Sequence, residues 1–204
     1  MTLWRFLTAG WLAALLALPA HGASAAEAQA LVRTTADQVL AEVRANKAEL
    51  ERSPARIYEL VQASVVPHFD FTRMAQSALG RHWRAATDEQ RAALTREFQE
   101  LLVRTYAVAL LNYSGQQIDY LPLRSGGADD DATIQTRVVQ PGAPPIPIDY
   151  RLSQSAGRWK VYDVVIDNVS LVSNYRSSFS EQVQREGIDG LIRQLADRNR
   201  QLRG

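Results

Sequence analysis

The sequence contains no cysteine and only three histidines among its 204 residues. The absence of cysteine excludes disulfides, thiolate zinc sites and cysteine nucleophiles. His21 lies within the predicted N-terminal signal segment 1–25, and His68 and His82 are too far apart to face one metal ion from one helical turn. A hydrolytic site assembled in space around His68 or His82 remains an open alternative.

Other signatures of catalysis and of charged partners are also missing. There is no G-x-S-x-G nucleophile elbow and no glycine-rich phosphate loop, since Gly126-Gly127 is soon followed by acidic residues. The segment 129–131 lacks the ligand spacing of a calcium loop and is typical of an exposed turn. Lys+Arg number 23 and Asp+Glu 22, and this balance argues against a nucleic-acid partner. We therefore expect no enzymatic activity, no metal site and no cofactor.

The N-terminus has the pattern of a secretory signal. Arg5 precedes the apolar segment 6–18, Pro19 interrupts it, and Ala23-Ser24-Ala25 has the small residues of a signal-peptidase site. The apolar segment is shorter than the roughly 20 residues that span a bilayer. We predict a signal peptide over residues 1–25, cleaved near Ala25, and one exported domain over residues 26–204.

The first half of that domain has helical periodicity. Apolar residues three and four positions apart predict a helix over 27–46, a second from Pro54 that Pro67 ends, and a short third between Asp70 and Gly80. Thr87 and Gln90 form a capping box, which opens one long amphipathic helix. Its apolar pattern continues to Tyr113.

After residue 116 the period changes to two, which is typical of strands. Apolar and polar residues alternate over 117–120, 134–138 and 148–152, and 161–166 is a nearly unbroken β-branched and aromatic run, typical of a strand covered on both faces. With turns at 126–131, 141–147 and 155–157, these segments predict a four-stranded antiparallel sheet with one apolar face. Asp167 and Asn168 then form a corner. A helix begins near Ser170, is interrupted at Gly187 and is followed by a last amphipathic helix. The predicted fold is therefore an α+β domain.

The apolar faces of the long helix and of the sheet can meet in two ways. Packed on each other they form a filled core; held apart they enclose a cavity. An acyl chain of about 15 methylenes gains on the order of 12 kcal/mol on leaving water, at about 0.8 kcal/mol each, so a lipid carrier needs a deep apolar slot. Residue types alone leave both arrangements open.

Four segments in order resemble the MlaC family of periplasmic phospholipid-binding carriers, also called toluene-tolerance proteins. They are FDFTRMAQSALG (69–80), HWRAATDEQ (82–90), FQELLVRTY (98–106) and VYDVVIDNVSLVSNYRSSF (161–179). The resemblance implies an apolar lipid cavity and a monomeric carrier whose cargo is a glycerophospholipid. It also implies transient docking to an inner-membrane ABC-transporter complex and an outer-membrane lipoprotein complex, in support of outer-membrane lipid asymmetry, with the direction of transport open.

The same resemblance, with our own assignment of apolar faces, gives candidates for the pocket wall. The helix motif and its continuation supply Phe98, Leu101, Leu102, Tyr106 and Leu110. The strand-to-helix motif supplies Val161, Val164, Ile166, Val169, Leu171, Val172 and Tyr175, and the face assignment adds Ile148, Tyr150 and Leu152. Arg81, Arg84, Arg104 and Arg176 are either contacts for head groups or partners, or solvated charges.

Two alternatives to a phospholipid carrier remain besides a hydrolase. One is an exported docking adaptor with a filled core. The other is a carrier of a hopanoid-type lipid.

Overall fold

The computed structural model describes residues 24–123 and 130–203, which form six α-helices and one antiparallel sheet. The helices are α1 (Ala25–Ala45), α2 (Lys47–Arg52), α3 (Pro54–Ser64), α4 (Phe71–Leu79), α5 (Asp88–Ala107) and α6 (Leu171–Gln201). The strands are β1 (Gln117–Tyr120), β2 (Asp131–Val139), β3 (Ile146–Ser155), β4 (Arg158–Ile166) and β5 (Val169–Ser170). Short 3₁₀ turns cover Val66–His68, Gly80–Ala85 and Val108–Asn112. The predicted signal segment lies outside the described residues except for its last two, and so does most of the predicted 126–131 turn.

The helix boundaries follow from local capping groups. The Asp70 carboxylate accepts a hydrogen bond from the Arg73 backbone N–H at 2.9 Å and starts α4. The Thr87 hydroxyl accepts from the Gln90 N–H at 3.2 Å, and the Gln90 side chain accepts from the Thr87 N–H at 3.0 Å. This is the predicted capping box of α5. The helix ends at Ala107, however, because the last predicted turns tighten into the 3₁₀ segment Val108–Asn112.

The sheet has five strands in the order β1-β2-β3-β4-β5, where the sequence predicted four. The predicted corner at Asp167 and Asn168 is the two-residue turn of a β-hairpin. Both residues have positive φ, 48° and 64°. The hairpin folds Val169 and Ser170 back against the end of β4 as the fifth strand. The sequence prediction missed this strand because two residues are too few to show an alternating pattern.

A buried carboxylate attaches α6 to the sheet. Asp163, on β4, is 4% exposed and accepts hydrogen bonds from the Ser170 hydroxyl at 2.7 Å and the Val172 N–H at 3.2 Å. Arg151 on β3 forms an ion pair with the same carboxylate at 3.2 Å. The negative charge lies at the positive N-terminal end of α6, which favours this arrangement. Gly187, with φ 72°, interrupts α6 as predicted.

The buried apolar side chains form three clusters. One joins α4, α5 and α6 around Phe98; a second joins α1 to the inner face of the sheet around Leu152; the third joins α1, α2, α3 and α5 around Ile57. Helix α1 contributes to two of the clusters, so it bridges the sheet and the helical layer. The space between these clusters holds the candidate site.

Candidate functional site

A cavity of about 560 Å³ lies between the inner face of the sheet and helices α1, α3, α4 and α5. Protein interiors rarely contain voids much larger than a water molecule, because side chains interdigitate. Ligand pockets occupy about 300–1,000 Å³. The cavity therefore has the size of a ligand site and is too large for a packing defect.

The strand register arranges the inner face of the sheet in rows. The order starts at the N-terminal end of β1 and the C-terminal end of β2. The rows are Gln116–Gln140, Ile118–Val138–Ile146, Tyr120–Thr136–Ile148–Ile166, Ile134–Tyr150–Val164 and Ala132–Leu152–Val161. A bulge opposite Arg151 and Leu152 shifts the register of β4, so that Val161 and Val164 both point inward. The inward side chains of β3 and β4 line the cavity along most of these strands. Ile134 and Leu152 do not, because α1 packs directly on them.

The helical side of the cavity comes from several elements. Helix α1 contributes Leu31, Val32, Thr35, Ala36, Val39 and Leu40, and the segment from α3 to α4 contributes Val61, Val65, Val66, His68, Phe69, Phe71 and Met74. Helix α5 and the following turn contribute Leu102, Val103, Tyr106, Ala107, Ala109, Leu110 and Asn112. Most of these side chains present only carbon to the cavity.

The lining is electrically neutral near pH 7. Within the described part of the chain, no aspartate, glutamate, lysine or arginine lines the cavity. Burial, and then the charge of Lys160, lowers the pKa of His68, which favours its neutral form. Burial raises the pKa of Tyr150 to about 12 and also raises the pKa of Tyr106, so both keep their hydroxyl protons. Such a lining suits a hydrocarbon and offers no counter-charge to an ion.

The cavity opens at one end of the sheet. Of the described residues that line it, Ala109, Asn112 and Ile146 are exposed to solvent, and Ile146 is 41% exposed. Gln116 and Gln140 lie at the same end and are half-buried. The mouth thus combines carboxamide groups with the apolar side chain of Ile146.

Most of the candidate pocket residues lie on the wall of this cavity. They are Leu102, Tyr106, Leu110, Ile148, Tyr150, Val161, Val164, Ile166 and Leu171. Those on β3 and β4 come from three consecutive rows of the sheet, and those on α5 and its extension share one face. The face assignment supplied Ile148 and Tyr150 among these residues, and the residues on β4 came from the strand-to-helix motif.

The other candidates do not line the cavity. Phe98, Leu101, Val172 and Tyr175 pack in the helical cluster, where the Phe98 ring centroid lies 5.1 Å from that of Tyr175. Helix α5 buries two faces, one against α4 and α6 and one against the cavity, and the sequence pattern does not separate them. Leu152 is fully buried under α1, and Val169 is 54% exposed because β5 is an edge strand.

Several parts of the wall were not among the candidates, chiefly the α3-to-α4 segment, helix α1 and the amides at the mouth. The apolar residues of the α3-to-α4 segment follow helical periodicity, which is equally typical of core packing. Helix α1 has only a narrow apolar stripe, which predicts ordinary core packing and does not distinguish cavity contact from it. The amides of Asn112, Gln116 and Gln140 carry no sequence signal, because isolated carboxamide side chains match no binding motif. Their role as mouth residues follows only from the fold.

The four arginines singled out in the sequence are not among the lining residues. Arg104 forms an ion pair with Glu100 at 2.7 Å. Arg81, Arg84 and Arg176 are exposed, and the Arg176 guanidinium packs against Gly80, whose φ of +58° ends α4.

Within residues 24–123 and 130–203, no group of three or more histidine and acidic side chains is placed to hold a metal ion. No helix within these ranges combines the length and apolarity needed to cross a bilayer.

The chain is similar in sequence and in structure to known phospholipid-binding and toluene-tolerance proteins. The chain is 27% identical over 168 residues to the intermembrane phospholipid transport system binding protein MlaC of Haemophilus influenzae, covering 81% of this chain and 78% of that protein. It is 28% identical over 186 residues to the toluene tolerance protein ttg2D of Pseudomonas putida, covering 90% and 85%. A solved phospholipid-binding protein from Ralstonia solanacearum, in complex with a phospholipid, superposes with a TM-score of 0.79 at 37% identity, covering 87% of this chain and 99% of that one.

The match to a family extends over most of the described chain. Residues 33–197, which run from α1 into the second half of α6, match the model described as MlaC protein. The predicted resemblance is thereby confirmed, and the chain belongs to the MlaC protein family.

Proposed function

We propose that this protein is a carrier that holds a phospholipid by its acyl chains and moves it between membranes. The observation that carries the proposal is the neutral, carbon-lined cavity of about 560 Å³ with a mouth at one end of the sheet. The acyl chains occupy the cavity, and the polar head group stays at the mouth in contact with water. The candidate residues that line the cavity hold the chains: Leu102, Tyr106, Leu110, Ile148, Tyr150, Val161, Val164, Ile166 and Leu171.

The energetics of the cavity favour a bound lipid. In the lipid-free protein water enters through the mouth, so the apolar wall is hydrated. Transfer of one acyl chain of about 15 methylenes from water to the cavity gains about 12 kcal/mol, because it removes the chain from water. The same step displaces water from the wall, so the cavity and the lipid shield each other.

The comparisons support the same proposal. The Ralstonia protein, which shares 37% of its residues over most of the chain, is described as a phospholipid complex, and the Haemophilus relative is named for intermembrane phospholipid transport. We place this protein in the periplasm, as a monomer that docks in turn on an outer-membrane lipoprotein complex and an inner-membrane ABC-transporter complex. In this role it helps to maintain outer-membrane lipid asymmetry. Lipid is its cargo, and the proposed transfer needs no cofactor and no covalent chemistry.

Analysis of co-purified lipid tests the proposal. Protein purified without added lipid should release phospholipid into an organic extract, in about equimolar amount, when the extract is examined by mass spectrometry. A lipid-free preparation that also fails to take up phospholipid from vesicles would refute the carrier function. A polycyclic lipid in the extract would favour the hopanoid alternative instead.

The adaptor alternative required a filled core between the sheet and the helices. The cavity occupies that space, so the observation that would have favoured an adaptor is not found in the described structure.

A further inference from the structure

The row of the sheet nearest the mouth is made of two glutamine amides. Gln116 on the β1 side and Gln140 on the β2 side continue the cross-strand pair Ile118–Val138 outward by one step. The Ser114 N–H donates to Gln116 Oε1 at 2.8 Å, and Gln116 Nε2 donates to Gln140 Oε1 at 3.4 Å. Both amide oxygens therefore accept a hydrogen bond from the protein itself.

This arrangement leaves donors at the mouth. Gln140 Nε2 has no hydrogen-bond partner among the residues that the structure describes, although Gln140 lines the cavity and is half-buried. Because Gln140 Oε1 already accepts a hydrogen bond from Gln116, the part of the Gln140 amide that stays available at the mouth is its pair of N–H donors. A ligand that is to use this group must supply an acceptor oxygen.

The position of the amide row relative to the carbon-lined rows indicates which oxygen atom of a lipid can accept this hydrogen bond. The next row along the strands, Ile118–Val138–Ile146, is entirely carbon and lies about 7 Å from the amide row in the direction of the cavity interior, two residues of strand at about 3.4 Å each. Acyl chains therefore begin at the amide row. In a diacyl phosphoglyceride the last polar atoms before the chains are the ester carbonyl oxygens, whereas the phosphate lies farther out toward water.

We propose that the Gln140 amide donates a hydrogen bond to an ester carbonyl of the bound lipid, so that the protein distinguishes ester-linked from ether-linked phospholipids. This inference rests on the proposed carrier function and adds a chemical preference to it. An ether lipid of the same head group and chain length lacks the carbonyl, so it offers the Gln140 donor only a weaker ether oxygen in its place. A hydrogen bond of this neutral type corresponds to about a three- to tenfold difference in affinity.

The test compares two lipids and three variants. A diacyl phospholipid and its dialkyl ether analogue compete with a fluorescent phospholipid for delipidated protein, and the ratio of the two dissociation constants is measured. Gln140→Met removes the donors and nearly keeps the length of the side chain, and Gln140→Glu keeps the shape but substitutes a carboxylate. Gln117→Met is the matched control, because Gln117 is the neighbouring β1 residue on the outer face of the sheet and is exposed.

The expected result is a three- to tenfold preference of the unmodified protein for the diacyl lipid. Both Gln140 variants should lose this preference through weaker diacyl binding, and Gln117→Met should keep it. Equal affinity of the unmodified protein for the two lipids would overturn the inference, as would a preference that survives in Gln140→Met. Failure of the unmodified protein to bind either lipid would instead overturn the carrier function.

Discussion

Two residues on strand β3 offer a direct test of where the cavity ends and the core begins. Ile148 and Leu152 lie on the same face of the same strand, two rows apart. Ile148 lines the cavity, whereas Leu152 is fully buried beneath α1. The substitutions Ile148→Gln and Leu152→Gln introduce the same amide in both places, so their effects differ only through their surroundings.

The two substitutions differ in the step at which the new amide loses its contact with water, either lipid binding or folding. This difference decides whether lipid affinity or stability falls. In Ile148→Gln the cavity of the lipid-free protein admits water, so the amide is solvated until a lipid displaces that water. An unpaired amide then costs about 1–3 kcal/mol, which weakens lipid binding about 5- to 150-fold. In Leu152→Gln the amide is desolvated on folding itself, and with the lost leucine burial the free energy of unfolding falls by about 3–5 kcal/mol.

The assay measures both quantities on delipidated protein. Urea unfolding followed by circular dichroism gives the free energy of unfolding, and displacement of a fluorescent phospholipid gives the affinity. Ile148→Gln should lose affinity and retain most of its stability, and Leu152→Gln should show the reverse. If Ile148→Gln lost as much stability as Leu152→Gln while binding lipid normally, the assignment of Ile148 to the cavity wall would be refuted.

Three further substitutions test the anchoring, packing and electrostatics of the site. Asp163→Asn should lower the free energy of unfolding by about 1–3 kcal/mol, because the uncharged amide is a weaker partner for Arg151 and for the start of α6; an unchanged urea midpoint would contradict this. Phe98→Ala should cost about 3–5 kcal/mol of stability and leave lipid affinity within about twofold, since its ring packs between helices; strongly reduced affinity with intact stability would place it on the wall. The pKa of Tyr150, raised by burial to about 12, means that the folded protein keeps a proton that the unfolded chain loses near pH 10, so stability falls by about 2–3 kcal/mol between those values. Tyr150→Phe should make the urea midpoint less sensitive to pH in that window, and an unaltered alkaline dependence would argue against the buried hydroxyl.

The sequence predicted the elements of this fold well where local rules decide them. The capping box at Thr87, the cap at Asp70 and the interruption at Gly187 are found as expected, because each depends on neighbouring residues alone. The alternation along β3 also identified Ile148 and Tyr150 as inward-facing. The two-residue strand β5 was missed because it forms only by pairing with β4.

The boundary between cavity and core could not be predicted from the same patterns. Phe98 and Leu102 lie one helical turn apart and are equally apolar, yet one packs against α6 and the other faces the cavity. Hydrophobic periodicity reports which residues avoid water, and both kinds of position do so. Separating them requires the position of α1, which bridges the sheet and the helices and so sets the space between them.

The central claim is that acyl chains enter the cavity with their ends deepest and their ester groups at the mouth. Phospholipids that carry a photoreactive diazirine at different positions along one chain test this most directly, with the cross-linked residues identified by mass spectrometry. A group near the ester should label the row of Ile118, Val138 and Ile146, and a group near the chain end should label Val161 or Val164 on β4. Labelling that does not depend on diazirine position, or that falls on the exposed outer face of the sheet, would contradict the account.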